Sequence, residues 1–157
     1  MNLYFLRHGE ADWPGWDKPD DARPLTKRGI EEMKKIAAFL ARLDFSLDRI
    51  VTSPLPRAEQ TGRIVAEELD VDLQEDRLLK PAFGLSELKQ LLKKYADKNL
   101  MIVGHEPDFT ETIADLTGAK LKLSKAGLAL VELETAAMRG RLLWLFPPRI
   151  PKAALRG

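Results

Sequence analysis

The sequence predicts an α/β fold: a three-layer αβα sandwich with a mainly parallel central sheet and a C-terminal antiparallel hairpin. Three observations carry this expectation. Short apolar runs alternate along the chain with amphipathic segments of helical period. The last two strand-like runs, 127–134 and 141–146, stand too close to hold a helix between them. The length, 157 residues, suits one domain over 1–157 with a single core.

Each element has its own signal. Asn2-Leu-Tyr-Phe-Leu6 is a short apolar run with the character of a buried strand. Residues 9–26 read as a long loop, with Trp13, Pro14, Gly15, Trp16, Pro19 and Pro24 among several aspartates. Trp13 and Trp16 fit either a substrate-facing rim or packing that pins the loop. Thr26 fits the N-cap of a helix to about Leu43, with Ile30, Met33, Ile36, Ala37, Leu40 and Leu43 at helical spacing. Asp48 to Ser53 reads as the second strand. Pro54 and Pro56 mark a tight connection, and Arg57 opens a helix to about Leu69. A short strand at 71–75 and a loop at 76–84 come next, then an amphipathic helix from Leu85 to Tyr95. Asn99-Leu-Met-Ile-Val103 is the clearest buried strand, and a helix begins near Asp108. The final hairpin is expected to turn around Arg139-Gly140. The Pro-rich segment 147–157 reads as a surface tail.

Composition narrows the function classes. Lys plus Arg (25) nearly cancels Asp plus Glu (24), so no strong field favours nucleic acid or a membrane surface. Lys93-Lys94 and the lysines from Lys120 to Lys125 read as solvated faces. The absence of cysteine excludes disulfides, thiolate metal sites and cysteine nucleophiles, and is compatible with a reducing cytoplasm. Met1-Asn2-Leu3 runs into the first strand without a basic n-region, and no apolar run approaches the roughly 20 residues that span a bilayer. A cytoplasmic monomer is expected.

Three strand ends carry chemistry. The first delivers Arg7, His8 and Gly9. The second delivers Thr52 and Ser53, with Arg57 on the following helix. The third delivers Gly104 and His105. His8 and His105 are the two histidines of the chain. In open α/β sheets ligands bind outside the carboxyl ends of the strands, so these residues meet if the strands lie side by side. Arginine offers a permanent forked cation for phosphate oxygens, and neutral histidine offers a nitrogen nucleophile. A transferring phosphoryl group needs fixed donors around three equatorial oxygens and one nucleophile in line. Arg7, Arg57, His8 and His105 meet that demand. Ser53 fits either a phosphate contact or closure of the turn before Pro54. Arg23 fits either a phosphate contact or pairing with Asp17, Asp20 or Asp21. Glu10 and Glu106 fit acid, orienting or structural roles. No compact ligand spacing supports a metal site.

Leu-Arg-His-Gly-Glu at 6–10, Thr-Ser-Pro-Leu-Pro-Arg-Ala-Glu-Gln-Thr at 52–61 and Val-Gly-His-Glu at 103–106 resemble the histidine phosphatase superfamily in order and spacing. The resemblance covers about residues 2–146. Within the superfamily the chain is most similar to the small SixA-type phosphohistidine phosphatases, through Arg23-Pro-Leu-Thr26, Arg57-Ala-Glu-Gln-Thr61 and its short length. The resemblance implies a phosphoglycerate mutase-like fold and phosphorylation of His8. It also implies that Arg7, Arg57 and His105 hold the phosphoryl group, with Arg23 a fourth contact, and that no metal or organic cofactor takes part. Arg23, Ser53 and Gly9 are the expected substrate-binding residues. The chain departs from the larger, mutase-like members at 76–84, where no glutamate stands in the position of their general acid. An alkoxide leaving group needs such an acid, whereas imidazole leaves more readily. A histidine-phosphorylated protein is therefore the expected substrate. A phosphatase of small phosphate esters and a phosphoprotein-binding module without turnover are the alternatives.

Overall fold

The computed structural model describes residues 1–43 and 46–156. Among the described residues, six strands form one sheet: β1 (Asn2–Arg7), β2 (Arg49–Thr52), β3 (Leu73–Glu75), β4 (Asn99–Gly104), β5 (Leu128–Glu134) and β6 (Arg139–Phe146). Their order is β3-β2-β4-β1-β5-β6. The first four in that order are mutually parallel, and β5 and β6 run antiparallel at one side. The expected mainly parallel sheet with a C-terminal hairpin is what the chain forms.

Five α-helices among the described residues accompany the sheet: α1 (Lys27–Arg42), α2 (Pro56–Leu69), α3 (Leu85–Lys94), α4 (Asp108–Thr117) and α5 (Arg149–Ala154). Successive strand residues point to opposite faces, and this divides the core in two. Leu3, Phe5, Leu100 and Ile102 pack with Leu88 and Leu91 of α3 and with Phe109 and Ile113 of α4. Tyr4, Leu6, Met101 and Val103 pack with Met33, Ile36 and Leu40 of α1 and with Val65 of α2. These are the three layers.

Local chemistry sets the boundaries. The Thr26 side chain accepts a hydrogen bond from Gly29 N at 3.0 Å and caps α1. Pro56 stands at the first position of α2, where no N–H is needed, and Asp70 ends the helix in the left-handed region at φ 53°. The long loop contains a 3₁₀ turn at Asp20–Ala22, and the 76–84 loop contains another at Arg77–Leu79, capped by the Asp76 side chain.

Two expectations are corrected. The hairpin turns at Thr135–Met138, with Met138 at φ 51°, and not around Arg139-Gly140. Gly140 lies inside β6 opposite Leu133, where an added Cβ would come 2.7 Å from Glu132 O. It marks a close approach of two strands. The segment after Pro147 is more than a surface tail. Arg149–Ala154 is helical, Pro151 is buried, and α5 packs on α1 with Lys152 Nζ 2.6 Å from Glu32. The last residue of the expected tail, Gly157, lies outside the described residues.

Candidate active site

Parallel pairing brings the three chemistry-bearing strand ends level. Arg7 is in register with Gly104, and Thr52 with Val103. The ladder continues one step beyond the strands: His8 N donates to Gly104 O (3.1 Å) and Ser53 N to Val103 O (3.0 Å). Ser53, His105 and His8 thus emerge side by side at the carboxyl edge of β2, β4 and β1. The two imidazole centroids are 5.4 Å apart.

His8 is held in one tautomer. Its Nδ1 lies 2.7 Å from the Gly9 carbonyl oxygen, which can only accept, so Nδ1 carries the proton and Nε2 the lone pair. Burial pushes the His8 pKa down to about 3; the bond to Gly9 opposes this, and the nearby His105, Arg57 and Arg7 reinforce it. His105 is likewise lowered, to about 4, first by burial and then by Arg57. Both rings are neutral at pH 7.

Arg57 sits in the first turn of α2, nearly buried at 5% exposure. Its Nη1 donates to Asp20 O (3.0 Å), and its Nη2 is 3.5 Å from Asp20 Oδ2. Arg7 Nη1 donates to Leu123 O at 3.0 Å. Among the described residues, Arg7 Nε, Arg57 Nε and His105 Nδ1 are buried without a hydrogen-bond partner. The two guanidinium Nε–H groups are unsatisfied buried donors, which are costly, and an anion bound among them would supply the acceptor.

The expected substrate-binding residues take more indirect positions. Ser53 Oγ accepts from Leu55 N (3.3 Å) and lies 2.8 Å from His105 Nε2, so the hydroxyl closes the turn and engages the histidine as well. Gly9 N donates to Thr61 Oγ1 (3.1 Å), and a Cβ at Gly9 would come 2.9 Å from Met33 Cγ. Arg23 Nε donates to Asp20 Oδ1 at 2.8 Å, and Arg23 Nη1 donates to Ala11 O. Glu10 accepts from Thr26 Oγ1 and Glu106 from Thr110 N, so both serve helix starts. Trp13 Nε1 donates to Pro24 O (2.8 Å) and Trp16 Nε1 to Pro19 O (3.1 Å), so both indoles pin the loop.

Sequence reasoning missed Thr61 and the link from Asp20 to Arg57. Thr61 Oγ1 donates to Arg57 O (2.7 Å) while accepting from Gly9 N, and so ties α2 to the His8 turn. Its i+4 spacing from Arg57 is the signal that could have found it. Asp20 carries no such signal, because its contact depends on how a long loop folds back.

Residues 3–87 match the histidine phosphatase superfamily (branch 1). The chain belongs to this superfamily. Two relatives of the superfamily member described here span most of both chains. An uncharacterised protein of Picosynechococcus sp. is 38% identical over 88% of each chain. A phosphohistidine phosphatase SixA homolog of Haemophilus influenzae is 31% identical, over 79% of this chain and 82% of that one. The solved structure of the protein histidine phosphatase SixA complexed with tungstate shares the fold. Its TM-score is 0.83 at 24% identity, over 96% of this chain and 99% of that one. The chain is of SixA type in fold and sequence.

Proposed function

We propose that the enzyme hydrolyses phosphohistidine on proteins through a phosphorylated His8. The observation that carries this is the state of His8: buried, neutral, its Nδ1–H fixed on Gly9 O, and its free Nε2 beside His105. Neutral His8 Nε2 attacks phosphorus in line, and the bond from phosphorus to the substrate imidazole nitrogen breaks. The imidazole leaves with the electron pair and takes a proton from solvent. Water then attacks phosphorus on His8, inorganic phosphate leaves, and the lone pair returns to Nε2.

Arg7, Arg57, Arg23 and His105 stabilise the equatorial oxygens in this scheme. In this scheme the Ser53 hydroxyl, which accepts from Leu55 N, donates a hydrogen bond to His105 Nε2, and His105 Nδ1–H donates to the phosphoryl group. Ser53 is then a positioning residue, and Gly9 contributes the carbonyl that fixes His8. The scheme draws on no metal: His8 is the nucleophile, and the arginines with His105 carry the charge. No helix among the described residues is long and apolar enough to cross a membrane.

The protein substrate is favoured by the leaving group. Asp76, the carboxylate of the 76–84 segment, is nearly buried and bound by Leu78 N, Lys94 and Tyr95, which removes it from proton donation at the phosphoryl site. Phosphohistidine requires an acid less than an ester does. The test is phosphate release from a histidine-phosphorylated carrier protein beside para-nitrophenyl phosphate, with wild type and His8→Ala. Release from the carrier that is faster than from the ester and lost in His8→Ala is expected. Faster release from the ester would instead establish a phosphatase of small esters, and normal turnover by folded His8→Ala would exclude the covalent route.

A further inference from the structure

The Asp20 carboxylate bridges the two arginines assigned to the phosphoryl group. Its Oδ1 accepts from Arg23 Nε at 2.8 Å, and its Oδ2 is 3.5 Å from Arg57 Nη2. The partners differ in exposure: the Arg57 side chain is 6% exposed and that of Asp20 is 71% exposed. A buried cation is therefore met from the solvent side by an anion on a short, exposed side chain. The backbone beneath it is fixed. Ala22 N donates to Pro19 O, Arg23 N to Asp20 O, and the Trp16 indole to Pro19 O. The Asp20 carbonyl also holds Arg57 Nη1, so the position of Arg57 does not depend on the carboxylate alone.

Resting on the assignment of Arg57 and Arg23 to the phosphoryl group, we propose that the Asp20 carboxylate is an internal counter-anion that competes with phosphate for these arginines and lowers the affinity for the product. The need for it follows from charge. Inorganic phosphate presents the same oxygens and nearly the same charge as the group being transferred. Arginines that stabilise one hold the other, and tight product binding slows turnover. A carboxylate that returns to the guanidinium groups displaces the product without any change of backbone. It also neutralises the buried Arg57 between turnovers, where an unpaired charge is costly. Arg23 belongs to the same device, since its Nη1 is held by Ala11 O while its Nε is left to the carboxylate.

The experiment is direct titration of inorganic phosphate into wild type, Asp20→Asn and Arg57→Ala by calorimetry at fixed low ionic strength. Asparagine keeps the shape, an oxygen for Arg23 Nε and the backbone carbonyl for Arg57, and removes only the charge. Asp20→Asn is expected to bind phosphate about three- to tenfold more tightly than wild type, the size of one exposed charge acting on a dianion across a few ångströms. Equal affinity would overturn the competition, and weaker binding would show that the carboxylate merely positions the arginines. Asp20→Ala is the second variant, expected to share the gain. Arg57→Ala separates the two levels of inference. If wild type and Arg57→Ala bind phosphate alike, the assignment of Arg57 fails and the role of Asp20 falls with it. If Arg57→Ala loses binding and Asp20→Asn equals wild type, only the role of Asp20 fails.

Discussion

A histidine attacks phosphorus only through a nitrogen with a free lone pair, and at His8 one carbonyl decides which nitrogen that is. Gly9 O accepts from Nδ1 at 2.7 Å, and burial among cations keeps a second proton off the ring. The expected spectroscopic consequence is a neutral Nδ1–H tautomer of His8 from pH 8 down to about pH 5, read from imidazole nitrogen shifts; an ordinary histidine is half protonated near 6.5. A doubly protonated His8 at pH 6 would remove the basis for a neutral nucleophile. At this scale the sequence revealed much of the candidate site. Arg7, His8 and His105 directly follow apolar strands, and Arg57 follows a proline that starts a helix, so local pattern points to each. Turn closure by Ser53 and the pairing of Arg23 with Asp20 were among the readings the sequence offers. The contacts of Ser53 with His105 and of Asp20 with Arg57 were not legible, because those side chains reach across the fold and residue type does not tell which partner they meet.

At the scale of elements, α1 matters to the site because its first turn touches the backbone that leaves His8. A Cβ on Gly29 would lie 2.2 Å from Glu10 O, and Thr26 N donates to the same carbonyl at 3.0 Å. Helix propensity alone favours alanine over glycine by about 1 kcal/mol. Here steric conflict with a backbone atom outweighs propensity. Gly29→Ala is expected to destabilise the fold by about 1–3 kcal/mol in denaturant titration and to lower activity, by displacing the loop that carries Arg23 and Asp20. A gain in stability would mean that the helix can move away freely and that the contact does not position the loop. Glycine also explains the misplaced hairpin turn. Local sequence treats Gly140 as a turn residue, whereas its role is set by a strand that lies beside it only in the fold. The α5 helix escaped for a related reason. Proline reads as a breaker, yet Pro148 and Pro151 occupy the start of a short helix, where the missing N–H groups have no helical acceptor.

At the scale of the whole molecule, the order β3-β2-β4-β1-β5-β6 is what makes a site of separate motifs, and it was not legible. Apolar periodicity fixes that strands exist and leaves open which neighbour each takes. Placing β4 between β2 and β1 sets His105 between Ser53 and His8, and it also commits the fold to burying two imidazoles. Both are held below the usual 6.5, His8 to about 3 and His105 to about 4, chiefly by burial. The unfolded chain therefore binds protons first as pH falls. Stability from the two neutral rings is complete above about pH 6.5 and drains away as pH drops toward 4 for His105 and 3 for His8. Each ring adds up to about 1.4 kcal/mol of loss per pH unit in that window. Between pH 6 and 5 ordinary carboxylates are still ionised, so the histidines dominate the slope. Urea titrations of wild type across that interval are expected to show the midpoint falling steeply. The double variant His8→Asn, His105→Asn is expected to show little change. An equal decline in both proteins would mean that the rings protonate in the folded state with ordinary affinity, and that the strand edge does not hold them neutral.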